Sequence, residues 1–550
     1  MVPAGTETSP RAPRVADVLA RRLARAGIRH AFGIPGAEVL SLIDALGAAG
    51  IEFVTARHET GAGLMAQGAA AASGAPGLLI LTVGPGVSNS VNAIANAHLY
   101  RVPLIVVSGM VEQSYPGSYT HQVFDQRALL RPLVKASFLA QAGAIEAIAA
   151  QALELACSHP RGPVHIELPM QLAGQPIVAS SPPELAAQAK AIPDLRAVSE
   201  SLCRAERPLI LAGLEAVSEG TAAALSKFTR AAAIPVLTTY KAKGVLDEED
   251  ALCVGAIGLS PKADAVAMPL LKAADLVLLV GYDPVEMRAA YAQPFGAGAR
   301  VVELACAARD HAVHQANEVH VGALDALLRD LTAHVAARGR ELPRATWPCR
   351  RPARVRDQLR ESFSPARAPG FSPLAVADVL ARNLPRDAYV TLDTGAHRIV
   401  LSQLLRARWA GQIQQSNGLC TMGFALPCAI GLALGSRRRV LALMGDGGFD
   451  MLAGELATLR DLALPVTCVV FDDSSLALID LKQQAAGLTR SGVWLGATDH
   501  AAVARAFGGR GERVLDVAAL ERALRAALRE TSGFSVIACA LERGAYAGLI

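Results

Sequence analysis

Five short runs of this chain are apolar at nearly every position rather than at alternate ones: Leu78-Leu-Ile-Leu-Thr-Val83, Leu104-Ile-Val-Val107, Leu276-Val-Leu-Leu-Val280, Val440-Leu-Ala-Leu-Met444 and Val466-Thr-Cys-Val-Val470. Continuous β-branched and aliphatic runs suit strands covered on both faces, as in parallel sheets. Helical stretches of about ten to fifteen residues separate them. The alternation predicts an α/β protein with parallel sheets.

Two parts of the chain repeat one pattern. Leu79 to Val107 reads strand, Gly84-Pro85-Gly86, helix, Val102-Pro103, strand; Val440 to Val470 reads strand, Gly445-Asp446-Gly447, helix, Leu464-Pro465, strand. The first glycine precedes the proline by 19 residues in one and 20 in the other. A helix of small residues stands before each, over 61–74 and 423–436. Two similar α/β units on one chain predict a ligand held where the carboxyl ends of their strands meet.

Two Pro-rich segments divide the chain. Gly174 to Asp194 carries four prolines, and Glu341 to Pro373 carries six with a basic run Arg350, Arg351, Arg354, Arg356. Such composition favours surface tethers, and the basic run reads as a solvated linker. The resulting expectation is a first domain over 1–180, a central domain over 190–340, a linker over 341–372 and a third domain over 373–550.

Composition narrows the function class. Hydrophobic residues make up 52% of 550, enough for large cores and far from a disordered chain. The balance of 53 basic and 49 acidic residues, +4, gives no footprint for nucleic acid or an anionic membrane. The uncharged stretches 61–100 and 418–436 are broken by Gly, Pro, Asn or Ser and read as buried units rather than membrane spans. Nine scattered cysteines with no CxxC argue against a disulfide framework or structural zinc, and His311, His314 and His320 lack the partners of a metal site. With no apolar leader over residues 1–14, the cytoplasm is the expected compartment.

Gly445-Asp446-Gly447-Gly448 follows a buried strand and opens a helix, a setting that lets backbone N–H groups approach a phosphate. An Asp at that point repels phosphate unless a cation lies between. Asp473, 27 residues on in Phe471-Asp472-Asp473-Ser474-Ser475, ends the next strand. Two carboxylates at neighbouring strand ends can hold one hard cation, and Mg²⁺ with phosphate oxygens fits.

With these residues stand Phe32-Gly-Ile-Pro-Gly36, Arg57-His58-Glu59, Gly84-Pro-Gly86, Arg161-Gly-Pro163 and Gly418-Leu-Cys-Thr-Met-Gly-Phe424, in order along nearly the whole chain. The set resembles the thiamine-diphosphate-dependent superfamily of acetolactate synthases and pyruvate decarboxylases, and most closely the acetolactate synthases. The resemblance implies pyrimidine-binding, central and diphosphate-binding domains, the first and third being the repeat. It implies that Glu59 bonds N1′ of the aminopyrimidine, favouring the imino form that takes the proton from C2. Met422 then supports the bent cofactor, and the backbone of Cys420 and Met422 bonds the pyrimidine. Asp446, Asp473 and the Ser475 carbonyl bind Mg²⁺ within the Gly445, Gly447, Gly448 cradle. Ala396 and His397, in Asp393-Thr-Gly-Ala-His397, touch the diphosphate.

The same resemblance places Tyr119-Thr-His121-Gln122-Val-Phe-Asp125 at the reacting carbon, with Gln122 bonding the intermediate beside His121. Leu478, Ile479 and Lys482 then line the acceptor pocket, and Lys482 and Met170 differ from the flavin-containing synthases. No adjacent His-His pair occurs and Ala37 stands where pyruvate decarboxylases carry Asp, so carboligation is favoured over aldehyde release. Val280-Gly-Tyr-Asp-Pro-Val-Glu286 and the degraded turn Leu211-Ala-Gly-Leu-Glu215 resemble the FAD-free, fermentative type. The expectation is a carboligase acting on 2-oxo acids as a homodimer or homotetramer. Its rivals are a non-ligating 2-oxo acid decarboxylase, an acyl-transferring relative with another acceptor, and a non-catalytic assembly homologue.

Overall fold

The computed structural model describes residues 12–111, 120–177, 192–309, 311–338, 346–364, 366 and 370–550. Tyr119, most of the first expected tether and residues 341–345 of the second lie outside the described residues. The chain divides into two compact units, one within residues 1–187 with 434–436, the other formed by 188–433 and 437–550.

The first unit holds a six-stranded parallel sheet: β1 (His30–Gly33), β2 (Glu52–Thr55), β3 (Gly77–Leu81), β4 (Leu104–Met110), β5 (Ser137–Leu139) and β6 (Pro163–Pro169), in the order β2-β1-β3-β4-β6-β5. Its central strands β3 and β4 are buried apart from Met110 at the end of β4, as their unbroken apolar runs require. The uncharged stretch after β2 is the helix Glu59–Ser73, which lies so close to the helix Pro85–Leu99 that a Cβ on Gly63 would stand 2.6 Å from that of Ala93. Gln67 donates to the Ala93 carbonyl (2.9 Å) and accepts from Asn96 (2.7 Å), so the polar groups of this helix pair are matched inside it. Among the described residues no helix is long and apolar enough to cross a membrane.

The second unit contains two further six-stranded parallel sheets. One comprises β7 (Pro208–Ala212), β8 (Val236–Thr239), β9 (Cys253–Ile257), β10 (Leu276–Val280), β11 (Arg300–Ala305) and β12 (Glu318–Val321), ordered β12-β11-β10-β7-β8-β9. The other comprises β13 (Tyr389–Leu392), β14 (Ile413–Gln415), β15 (Val440–Gly445), β16 (Val466–Asp472), β17 (Arg510–Val514) and β18 (Ser535–Ala540), ordered β14-β13-β15-β16-β18-β17. The first and third sheets therefore share one strand order, second-first-third-fourth-sixth-fifth, which is the internal repeat at the level of topology. One hydrophobic core runs through the second unit from Leu209, Leu211, Val277 and Leu279 to Val390, Leu392, Leu441 and Leu443.

The second Pro-rich segment is not a loose tether where it is described. Residues Arg351–Ser362 form a helix whose Val355 and Leu359, with Trp347 and Phe363, are buried in that core. Three arginines of this segment bond the central domain: Arg351 to the Pro269 carbonyl, Arg356 to that of Ala251 and Arg360 to that of Glu248. Of the three histidines, His311 lies against His314 with ring centroids 4.7 Å apart, while His314 meets Glu303 (3.2 Å) and His320 meets Glu318 (3.3 Å). All nine cysteines are free thiols.

Candidate functional site

In the first unit, β2 delivers the chain to Glu59, the first residue of its helix, where the helix dipole favours an anion. His58 caps that helix, its Nδ1 accepting from the Thr60 N–H at 3.1 Å. Glu59 is only 6% exposed, and Asn89 Nδ2 on the neighbouring helix donates to its Oε2 at 3.1 Å. Thr60 Oγ1 donates to the Asn89 carbonyl (2.6 Å), fixing the residue that orients Glu59.

The same neighbouring helix begins at Gly84, whose φ of +70° and approach to Gln122 exclude a side chain: a Cβ there would lie 2.7 Å from the Gln122 carbonyl oxygen. Gln126 secures the junction, accepting from the Gly84 N–H (3.1 Å) and donating to Gly109 O (3.1 Å) and Glu167 Oε1 (3.0 Å). His121 and Gln122 are exposed, Gln122 with a φ of +61°. Glu59 is thus bonded to Asn89 of this helix, and Gln122 lies against Gly84 at its start. Neither Asn89 nor Gln126 announces itself in sequence, since each acts through a partner distant along the chain.

In the second unit, three adjacent strand ends of one sheet converge. β15 leads into Asp446 and β16 into Asp473. The Ser475 N–H donates to Asp446 Oδ2 (3.2 Å) and its hydroxyl to Asp473 Oδ2 (2.9 Å), tying the two carboxylates to one loop. Burial pushes Asp446 up to about 6 and Asp473 up to about 7, with Asp446 adding to the rise at Asp473. Two buried, mutually repelling carboxylates fit a hard cation with oxygen ligands. His500 braces this loop from behind, 3.1 Å from Asp450 and 3.5 Å from Asp472.

The third strand end, after β13, carries Asp393 to His397. Asp393 is fully buried and accepts from the N–H groups of Thr394 (2.7 Å), Gly423 (3.0 Å) and Ala425 (3.0 Å). A Cβ on Gly448 would meet Asp393 at 2.9 Å, and one on Gly445 would meet His397 at 3.2 Å, so both glycines answer to close approach. His397 stacks on Phe471 (5.7 Å between centroids), and burial pushes it down to about 3. Thr394 Oγ1 and His397 Nε2 are buried without a hydrogen-bond partner. Orphaned polar atoms of this kind beside a glycine cradle and an acidic pair are groups that a ligand satisfies.

Loop 416–423 joins this site. Arg398 donates to the Ser416 carbonyl (2.5 Å) and the Thr421 N–H to Ser416 Oγ (3.0 Å). Cys420 has a φ of +56°, a left-handed conformation unusual for a residue with a side chain. Met422 reaches the cradle, its Cε 3.4 Å from where a Gly447 Cβ would stand. Just beyond Ser475, the helix Ala477–Ala485 turns Ile479 and Lys482 to solvent, with Leu478 half-buried. Its buried Asp480 is held by both Arg490 Nε and Nη2 at 2.5 Å.

Three family models cover most of the chain: "Thiamine pyrophosphate enzyme, N-terminal TPP binding domain" over residues 13–129, the central domain of the same enzymes over 195–331, and their C-terminal TPP binding domain over 393–539. The chain belongs to the thiamine pyrophosphate enzymes. This thiamine pyrophosphate enzyme is 31% identical over 536 residues to the Pseudomonas aeruginosa protein named "Probable 2-ketoarginine decarboxylase AruI", covering 95% of this chain and 93% of the relative. It is 28% identical to the catabolic acetolactate synthase of Raoultella terrigena, covering 96% and 95% of the two chains. With the acetolactate synthase of Bacillus subtilis it shares 29%, covering 91% and 88%. Its cofactor is thiamine diphosphate, the same molecule as thiamine pyrophosphate. The orphaned Thr394 and His397 atoms, the glycine cradle and the acidic pair fit a diphosphate bridged by a cation.

The central sheet of this thiamine pyrophosphate enzyme changes direction between β7 and β10, the switch point where such sheets bind nucleotides. Here the two loops close on each other. The Gly213 N–H donates to Val280 O (2.9 Å) and the Glu215 N–H to Gly281 O (3.0 Å), while the Glu215 carboxylate lies 2.7 Å from buried Arg309.

Proposed function

We propose that this enzyme is a carboligase: it decarboxylates pyruvate or a similar 2-oxo acid and transfers the remaining acyl unit to a second carbonyl, giving acetolactate when both substrates are pyruvate. The observation that carries the reading is near full-length likeness to acetolactate synthases. Thiamine diphosphate, when bound, would supply a carbon nucleophile and an electron sink for loss of CO₂ from the donor. Glu59 holds and moves the proton at N1′ of the aminopyrimidine, oriented for it by Asn89. Asp446, Asp473 and the Ser475 carbonyl hold Mg²⁺. Ala396, His397 and the glycines 445, 447 and 448 receive the diphosphate. Met422 and the backbone of Cys420 carry the pyrimidine end.

Gln122 and His121 face the donor, and Leu478, Ile479 and Lys482 define the acceptor side. Because the chain lacks an adjacent His-His pair and has Ala37 where decarboxylases carry an acid, proton delivery to the donor carbon is weak and ligation competes well. The enzyme works without FAD, a reading supported by the resemblance of the run Val280 to Glu286 to the FAD-free type. It acts in the cytoplasm as a homodimer or homotetramer.

A second reading, decarboxylation with release of an aldehyde, rests on the likeness to the named 2-ketoarginine decarboxylase. Product analysis separates the two. Purified enzyme with thiamine diphosphate and Mg²⁺ is given pyruvate alone or 2-ketoarginine alone. Acetolactate from pyruvate supports ligation, whereas aldehyde from pyruvate or 2-ketoarginine with no ligated product from either overturns it in favour of the second reading.

A further inference from the structure

Glu286, in the turn after β10, is 4% exposed and has been given no part in the site described above. Its carboxylate gathers three donors: Thr239 Oγ1 on Oε2 (2.6 Å), and the Lys241 N–H and Asn417 Nδ2 on Oε1, each at 3.0 Å. The first two belong to the central domain. The third, Asn417, opens loop 416–423 of the cofactor-binding domain and is 3% exposed. Two further bonds run beside it, from Lys241 Nζ to Gln414 Oε1 (3.1 Å) and from Gln415 Nε2 to the Tyr240 carbonyl (3.3 Å).

A carboxylate accepts only, so Glu286 decides which way the Asn417 amide faces. Its NH₂ turns to Glu286, and its Oδ1 is left buried with no partner. The Asn417 backbone is engaged as well, its carbonyl accepting from the Cys420 thiol at 3.1 Å. Asp393 fixes the far end of the loop, and Arg398 holds its first residue through the Ser416 carbonyl and reaches Cys420 Sγ (3.4 Å) in its middle. Glu286 adds a hold on Asn417 from another domain, three residues before Cys420 with its positive φ. A loop with one strained residue keeps its shape only where surrounding contacts over-determine it.

We propose that Glu286 is a positioning residue for the cofactor: through Asn417 the central domain sets the shape of the loop that receives the pyrimidine of thiamine diphosphate. The inference rests on the assignment of that loop to the pyrimidine. It gives the central domain a part in cofactor binding without a nucleotide of its own.

The test measures thiamine diphosphate affinity in the presence of Mg²⁺, by titration calorimetry, on the full-length wild type, Glu286→Gln, Asn417→Ala and the double variant. Melting of each cofactor-free protein is followed in parallel. The dissociation constant is expected to rise about tenfold in each single variant, as for loss of one buried hydrogen bond to a charged group. The double variant should be no weaker than the weaker single one, because both changes cut one connection. Cofactor-free melting should stay within a few degrees of wild type, which separates positioning from general support. Asn417→Ala leaves Glu286 with its other two donors, so it remains informative if Glu286→Gln folds poorly. Affinity within twofold of wild type in Asn417→Ala, or additive losses in the double variant, overturns the inference alone. A wild type that binds no thiamine diphosphate removes the functional reading and the inference with it.

Discussion

Asn89 Nδ2 donates to Glu59 Oε2 at 3.1 Å, and Asn89 is itself held by Thr60, the residue next to Glu59. The carboxylate at the head of one helix is therefore aimed by the helix beside it. A carboxylate that must hold a proton at one ring nitrogen depends on direction as much as on presence. Asn89→Ala should lower kcat by roughly 10-fold to 100-fold, the worth of a hydrogen bond to a charged group. Cofactor affinity should change little. Steady-state kinetics with a cofactor titration checks this; equal losses in kcat and cofactor affinity would show Asn89 to be a binding residue instead.

The proposed Mg²⁺ site on the acidic pair predicts metal binding that depends on pH. Burial raises the carboxyl groups of Asp446 and Asp473 to about 6 and about 7, so the metal-free folded state keeps protons that the unfolded chain has released. Their contribution to metal-free stability is full below the ordinary carboxylate value and is lost as pH rises through 6 to 7. Mg²⁺ requires both groups ionised, so its affinity should climb between pH 5.5 and 7.5, by up to about tenfold per unit for each proton displaced. Asp473→Asn should weaken binding and flatten the slope. Calorimetric titration at three pH values is the check, and an affinity independent of pH contradicts the assignment.

His165 makes the opposite contribution in the first unit. Its ring is fully buried between Ser108 Oγ and Ser137 Oγ, each at 2.8 Å, and burial pushes it down to about 4. The unfolded chain protonates this ring below about 6.5 while the folded one does not. Stability from His165 is present above that value and is lost as pH falls towards 4. His165→Gln should therefore melt closer to wild type at pH 4.5 than at pH 7.5. A gap of equal size at both values would refute the buried neutral ring.

Lys243 and Glu248 form an ion pair at 2.7 Å with 3% and 7% of their side chains exposed, and Glu248 also accepts from the Ala407 N–H at 2.6 Å. Removing only the cation strands a buried carboxylate. Lys243→Met should cost about 3–5 kcal/mol in chemical denaturation, and Lys243→Met with Glu248→Gln should recover part of that. A loss below about 1 kcal/mol in the single variant, the worth of an exposed pair, would mean that the pair is solvated.

Legibility in the sequence followed the range of each interaction. Continuous apolar runs mark strands covered on both faces, so β3, β4, β10, β15 and β16 stand out from composition alone. Gly445 and Asp446 stand out because a strand end, a glycine cradle and an acid are neighbours in sequence. The helix 351–362 was obscured by its prolines and arginines, although Val355, Leu359 and Phe363 recur every fourth residue, the stripe of a buried helical face. Asn89, Gln126, Arg398, Glu286 and Asn417 were not legible. Each is defined by a partner 22 to 131 residues away, and side-chain pairing at such separation leaves no local pattern.

The central claim is that Glu59 drives proton removal from the cofactor, and exchange of the C2 hydrogen of bound thiamine diphosphate with deuterated water, read by proton NMR, measures that step directly. In Glu59→Gln the exchange rate should fall by about 100-fold or more, the usual worth of positioned proton transfer, while cofactor affinity stays close to wild type. Exchange at the wild-type rate in the fully loaded variant would contradict the account.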